Sequence, residues 1–198
     1  MKALSSEGIT VSLLDLGGGL GVTYHDEVPP THEEYADALI GSLNGFHGTL
    51  LLEPGRCLVA NAGILVARVL YLKQTEIKSF VVVDGGMNDL IRPSLYDSYH
   101  EVRAVCEHGE TRRIADLVGP ICESGDFFAK DRAMPNLERG DLVAVMSAGA
   151  YGFVMSSNYN SKPKAAEVLV DGENFHIIRE RETLDDLVRG EAIASVLS

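Results

Sequence analysis

The chain has 198 residues, of which 45% are hydrophobic and 23% charged, the make-up of an ordinary globular protein long enough to bury a core without disulfides or a structural metal. Seventeen basic residues against 29 acidic ones leave a net charge of −12, and Arg112 and Arg113 form the one adjacent basic pair, which excludes nucleic acid and anionic membrane surfaces as partners. Cys57, Cys106 and Cys122 have neither the number nor the spacing of a disulfide framework or a thiolate metal site, and with no apolar run near the roughly 20 residues of a membrane span and no secretory signal at the start, a cytoplasmic protein is expected.

Residues 11–16 read as a strand that runs into the glycine cluster Gly17, Gly18, Gly19 and Gly21. Pro29 and Pro30 then precede Thr31-His32-Glu33-Glu34, a capping box in which Thr31 and Glu34 satisfy each other's backbone amides. Tyr35, Ala36, Leu39, Ile40 and Leu43 give the helix that follows one apolar stripe. Residues 49–52 form the next strand, closing on Glu53-Pro54-Gly55-Arg56. Strand, helix and strand make a βαβ unit, hence a parallel pair.

After Gly63 the texture changes. Residues 64–72, 79–84, 113–118, 141–146, 165–170 and 175–179 are short runs rich in β-branched residues between glycine, proline or polar turns, so strands are expected there. Asp171-Gly172 signals a hairpin with either a two-residue or a four-residue loop. Helix is confined to pieces near 151–157 and 184–188. One βαβ unit cannot cover both faces of its own sheet, so the reading is an α/β segment at 1–62, the end of a parallel domain, followed by a β-rich domain at 63–198.

Each strand end in the first segment carries candidate chemistry. Clustered glycines after a strand let backbone N–H groups approach an anion, although the spacing is neither a Walker A loop nor a dinucleotide fingerprint, and a plain tight turn remains open. Glu53 and Arg56 emerge on the same edge, a carboxylate for a protonated nitrogen and a planar fork for an anion; a simple ion pair between them is the competing reading. In the second segment Arg92 and Tyr96 lie four apart and face one way if their loop makes a helical turn, against the alternative of an exposed arginine over a packed tyrosine. Cys122 and Glu123 sit in a turn with Asp126, where a thiol can serve as an acid, and Tyr151 projects from the small-residue loop 148–152 with a phenol able to donate to a phosphate. The six histidines have no metal-ligand spacing and read as structural or solvent-facing.

Taken in order, LLDLGGGLG, LLLEPGRCLVANAG, VVVDGGMNDLIRPSLYDSYHE, GPICESGDFFAKDR, GDLVAVMSAGAYGFVMSSNYNSKPKAAEVLVDG and IRERETLDDLVRGE resemble the C-terminal half of the diaminopimelate decarboxylase family, and the likeness runs along essentially the whole chain. It implies an α/β plus all-β architecture: the last βαβ of a (β/α)8 TIM barrel, followed by a C-terminal β-sandwich or β-barrel domain. It also implies a lyase that uses pyridoxal 5'-phosphate to decarboxylate meso-diaminopimelate, giving L-lysine and CO2, in a homodimer whose active site is shared across the interface. By resemblance Gly18 and Gly19 cradle the phosphate with Glu53, Pro54, Gly55 and Arg56 around the cofactor, Glu53 pairing with the ring nitrogen. Arg56, Arg92, Tyr96 and Glu123 bind the amino-acid substrate, Tyr151 touches both, and Cys122 acts in reprotonation.

The family's cofactor-anchoring lysine lies in an early barrel motif that matches none of Lys2, Lys73, Lys78, Lys130, Lys162 or Lys164. The chain is therefore expected to be a fragment, inactive without an N-terminal barrel half. Ornithine, arginine and carboxynorspermidine decarboxylases are rival readings within the superfamily, and a non-catalytic dimerising module is the rival outside it.

Overall fold

The computed structural model describes residues 2–43, 45–109 and 111–194. A short helix, α1 (Lys2–Ser6), precedes β1 (Leu13–Asp15), and the crossover helix α2 (His32–Ser42) leads to β2 (Thr49–Leu51). β1 and β2 pair in parallel, with Leu13 opposite Thr49 and Asp15 opposite Leu51. The capping box forms as its sequence requires: Thr31 Oγ1 accepts from the Glu34 amide at 3.1 Å and the Glu34 carboxylate accepts from the Thr31 amide at 2.8 Å. None of the residues of α2 is buried, so its start depends on that cap more than on packing. Thr31→Ala is expected to cost about 1 kcal/mol of helix stability, read as faster amide exchange through the first turn of α2.

Pro54 and Gly55, which look like a closing turn, instead start a one-turn helix, α3 (Gly55–Val59). Its C-terminal neighbour Ala60 is fully buried, so the turn is fixed by what it packs against rather than by propensity. β1 and β2 remain a two-stranded sheet, with Leu13, Leu50 and Leu51 exposed.

The second segment builds one six-stranded sheet from β3 (Leu65–Gln74), β4 (Ser79–Val83), β5 (Val102–Ala104), β6 (Arg112–Val118), β7 (Phe127–Pro135) and β8 (Leu142–Val145), with the helical turn α4 (Arg92–Tyr96) between β4 and β5. The order is β5-β8-β3-β4-β6-β7, antiparallel throughout except for β4 beside β6. The outer strands β5 and β7 come into contact, curling the sheet into a nearly closed barrel; the two-sheet sandwich that the resemblance also allowed does not form. Val69, Val81, Val83, Leu117, Phe128, Met134, Val143 and Val145 fill its interior, the inward half of a period-two pattern.

Neither β5 nor β7 is among the strands expected from the sequence. β5 is only three residues long. β7 carries Lys130-Asp131-Arg132 at its centre, and Asp131 has a φ of 49°, a bulge that breaks the alternation a strand reading relies on. The bulge is tied down by buried Asp116 of β6, whose carboxylate accepts from the Asp131 amide at 2.7 Å and pairs with Lys78 Nζ at 2.8 Å.

Beyond the barrel, β9 (Glu167–Asp171) and β10 (Asn174–Arg179) form a separate hairpin. Asp171 faces Asn174, so the loop is the tight two-residue one, with Gly172 at a φ of 59°. The last described helix, α5 (Leu184–Leu187), again starts on a capping box, between Thr183 and Asp186. Among the described residues no helix is long and apolar enough to cross a membrane, and no cluster of His, Cys, Asp or Glu could hold a metal ion.

Candidate active site

The glycine turn after β1 is zipped onto the end of β2. Gly17 N donates to Asp15 Oδ1 at 2.8 Å, and Glu53 N donates to the Gly17 carbonyl at 2.7 Å. A Cβ on Gly18 would lie 2.5 Å from the Glu53 carbonyl oxygen, so no other residue fits there with the turn intact. Tyr35 of α2 supports the same turn from outside, its hydroxyl donating to the Gly18 carbonyl at 2.7 Å. On the other side the turn is open: a Cβ on Gly19 would meet only the Tyr35 hydroxyl, at 4.0 Å. Gly18, Gly19, Glu53, Pro54, Gly55 and Arg56 are thereby gathered at one edge. Glu53 and Arg56 form no ion pair; the Arg56 guanidinium lies instead 5.9 Å from the centre of the Tyr151 ring.

Tyr151 comes from the far end of β8, and the backbone brings it there. Ala148 N donates to the Gly63 carbonyl at 2.8 Å and Gly149 N to the Ala60 carbonyl at 3.0 Å. A Cβ on Gly149 would overlap the Val59 carbonyl oxygen and come 2.9 Å from Gly63 N, so main chain rests on main chain. Asn61 adds a clasp, its amide donating to Ser147 Oγ and to the Thr23 carbonyl, both at 2.9 Å. Ser147 and Tyr151 both have positive φ, 56° and 58°, conformations costing of order 1–3 kcal/mol each that persist because the surroundings over-determine them.

A second group lies on the barrel. The loop after β4 does make a helical turn, but α4 sets its two candidates in unlike surroundings: Arg92 is 8% exposed and Tyr96 is 61% exposed. Arg92 lies with its guanidinium carbon 4.6 Å from the centre of the Tyr24 ring and Nη1 3.3 Å from His100 Nε2. No carboxylate within the described residues pairs with it.

The turn 119–126 packs flush against α4, since a Cβ on Gly125 would lie 2.6 Å from Ser94 Oγ. Its anchor is Asp126, 5% exposed, whose carboxylate accepts from Ile121 N at 2.6 Å and from Met87 N at 2.7 Å. Burial raises the Asp126 pKa above the ordinary carboxyl value, and those two amide bonds oppose the rise. Cys122 and Glu123 are left exposed at the tip of the turn, and the Glu123 carboxylate accepts from the Tyr159 hydroxyl at 3.3 Å.

The candidates thus fall into two sets, Gly18 to Arg56 with Tyr151, and Arg92, Tyr96, Cys122 and Glu123. Among the described residues no hydrogen bond or ring contact joins one set directly to the other. Tyr24, Tyr35, His100 and Tyr159 are supporting residues that reading the sequence does not pick out, and Asp126, noted there only as a neighbour of Cys122, is the anchor of its turn. His100, Asp126 and Tyr159 lie inside the family motifs, and for His100 and Asp126 burial is the missing signal.

The family profile described as "Pyridoxal-dependent decarboxylase, C-terminal sheet domain" matches residues 12–149. The diaminopimelate decarboxylase of Pseudomonas aeruginosa is 57% identical over 190 residues, which is 96% of this chain and 46% of that protein; that of Vibrio cholerae is 49% identical over 194 residues, again 46% of its length. The chain therefore spans about half the length of the curated relatives it matches. Among solved structures, diaminopimelate decarboxylase from Helicobacter pylori complexed with L-lysine superposes with a TM-score of 0.87 at 44% identity, over 95% of this chain and 46% of that one. The M. jannaschii enzyme, also in complex with L-lysine, gives 0.93 at 38%, over 99% and 46%. A lysine/ornithine decarboxylase from Vibrio vulnificus is more distant, 0.73 at 26%, over 83% and 45%. With the sheet domain matched over residues 12–149, the chain belongs to the pyridoxal-dependent decarboxylases.

Proposed function

We propose that the chain is the C-terminal part of an enzyme that decarboxylates meso-diaminopimelate to L-lysine and CO2 in the cytoplasm, with residues 1–62 closing a (β/α)8 barrel and 63–198 forming the β-domain. The observation that carries this reading is Arg92. A buried guanidinium with no carboxylate beside it is costly unless a ligand brings the anion. A dicarboxylic amino acid supplies that anion at its far end, whereas the cationic tail of ornithine does not. The bare faces of β1 and β2 support a barrel completed from outside this chain, as parallel strands are ordinarily covered on both sides.

The residues at the glycine edge suit pyridoxal phosphate. The turn at Gly18 and Gly19 is closed behind by Glu53 and open in front, leaving main-chain N–H groups and the Arg56 fork for a phosphate. Pyridoxal phosphate, when bound, supplies the electron sink for the pair left by CO2 loss. The Glu53 carboxylate holds a proton on the ring nitrogen, with Pro54 and Gly55 shaping the turn beside it and Tyr151 flanking both cofactor and substrate. Arg92 and Tyr96 grip the distal carboxylate. Glu123 takes the distal ammonium and the Cys122 thiol delivers a proton, both in the neighbouring subunit's site. Their exposure suits that role. Lys78 is engaged by Asp116 and Asp131, and Lys162 by the Asp84 carbonyl at 3.0 Å, which agrees with an anchoring lysine supplied from outside this chain.

The test is to join this chain in frame to the half that precedes the matched region in the Pseudomonas aeruginosa relative. This assembled enzyme should release CO2 from meso-diaminopimelate and form L-lysine while leaving L-ornithine essentially untouched. Ornithine turnover at an equal rate would overturn the substrate assignment. Binding of pyridoxal phosphate without turnover of either amino acid would favour the dimerising module.

A further inference from the structure

We propose that His100 is a positioning residue for Arg92: its neutral imidazole accepts a hydrogen bond from the guanidinium and sets the angle at which that group meets the carboxylate of a dicarboxylic amino acid. The inference rests on the substrate-binding role proposed for Arg92 and adds to it the means by which the guanidinium is aimed.

His100 is fully buried, the most enclosed histidine of the chain. Its Nδ1 lies 2.8 Å from the Met146 carbonyl oxygen. A carbonyl can only accept, so Nδ1 carries the proton. Nε2 faces Arg92 Nη1 at 3.3 Å, and a guanidinium can only donate, so Nε2 must present its lone pair. A single state, the neutral Nδ1–H tautomer, satisfies both contacts.

The surroundings hold the ring in that state. Arg92 faces it from α4. Arg132 of β7 reaches over to donate to the His100 carbonyl at 3.1 Å, and the Tyr24 ring stands edge-on at 5.3 Å between centroids. Among the described residues no carboxylate pairs with the imidazole. Burial lowers the His100 pKa below its ordinary value; the Met146 carbonyl opposes this, and the charges of Arg92 and Arg132 add to it. Arg92 is thus held at one corner by His100 and along one face by Tyr24, and its other N–H groups have no partner among the described residues. Those groups are the ones left for a ligand. Without the imidazole, Arg92 would keep its charge and its stem but lose its bearing, and a planar fork is useful only when its plane is fixed.

Two experiments test the proposal. In the assembled enzyme, His100→Phe should raise KM for meso-diaminopimelate about ten- to a hundredfold with kcat changed less than fivefold and pyridoxal phosphate affinity unchanged, while His100→Gln, which keeps an acceptor, should recover most of the loss. The KM of the unsubstituted enzyme should rise as pH falls through the depressed His100 pKa, and that of His100→Gln should not. Arg92→Ala with His100→Phe should be no worse than Arg92→Ala alone; additive losses, or matching losses in cofactor affinity, would overturn the positioning role. If Arg92→Ala leaves KM unaltered, the substrate reading of Arg92 fails instead. Nitrogen-15 spectra of the 198-residue chain test the geometry without substrate: the Nδ1–H tautomer should dominate at neutral pH and the Nε2 resonance should shift in Arg92→Ala. An Nε2–H tautomer, or no response to Arg92→Ala, would overturn the contact itself.

Discussion

Replacing Cys122 by alanine in the assembled enzyme should slow turnover by about 10² to 10⁴, the range lost with a general acid, and leave pyridoxal phosphate affinity within a few-fold. Arg56→Ala should do the reverse, because in the proposed site its fork would serve the bound phosphate rather than a proton in flight. The contrast follows from placement. Cys122 stands exposed on a turn that, among the described residues, shares no hydrogen bond or ring contact with the glycine edge, whereas Arg56 is at that edge, beside Tyr151. Mixing Cys122→Ala subunits with subunits dead at the anchoring lysine should restore about one working site per heterodimer, since thiol and lysine would come from different chains. Heterodimers that form and stay inactive would rule out the shared site.

Asp126→Ala should destabilise the 198-residue chain by about 2–5 kcal/mol, measured by urea unfolding. Two amides, the buried Ile121 N and the part-buried Met87 N, lose their acceptor together, and each orphaned donor costs roughly 1–3 kcal/mol. The vacated space lies against Gly119, where the carboxylate leaves no room for a side chain, so neighbouring groups cannot easily refill it. Because Asp126 ties the loop before α4 to the turn carrying Cys122 and Glu123, amide exchange should quicken at both Met87 and Ile121. A loss below about 0.5 kcal/mol, the size of an ordinary surface change, would mean that these loops are held by something else.

Local chemistry made α2 and the β9–β10 hairpin legible, since Thr31 with Glu34 and Asp171 with Gly172 act within a few residues of themselves. β7 was not, because its charged centre answers to Asp116 on β6 and to Lys78 in the turn before β4, and the bulge at Asp131 that accommodates it leaves no period to read. α3 was missed for a related reason: Pro54-Gly55 is turn chemistry unless Ala60 behind it has a pocket to enter. The site divides in the same way. The types and order of Glu53, Arg56, Arg92, Cys122, Glu123 and Tyr151 pointed to one family through their motifs, but the burial of Arg92 against His100 and Tyr24 is a tertiary fact. Its partners are brought in by the loop before β5 and by the segment after the glycine turn, and no spacing encodes their meeting.

The joint between the segment 59–63 and the turn after β8 is made from main-chain atoms: amides of 148 and 149 on carbonyls of 63 and 60. Such a joint is nearly blind to side-chain drift. Val59, Ala60 and Ala148 can be exchanged for residues of similar bulk without altering the donors and acceptors that hold Tyr151 beside Arg56, while any side chain at Gly149 forces the two backbones apart. Divergent descendants of this sequence should therefore keep the spacing between these two groups long after the surrounding residues have changed, and a census of random variants should find the joint least tolerant at Gly63 and Gly149, where a Cβ on either would run into the other's main chain.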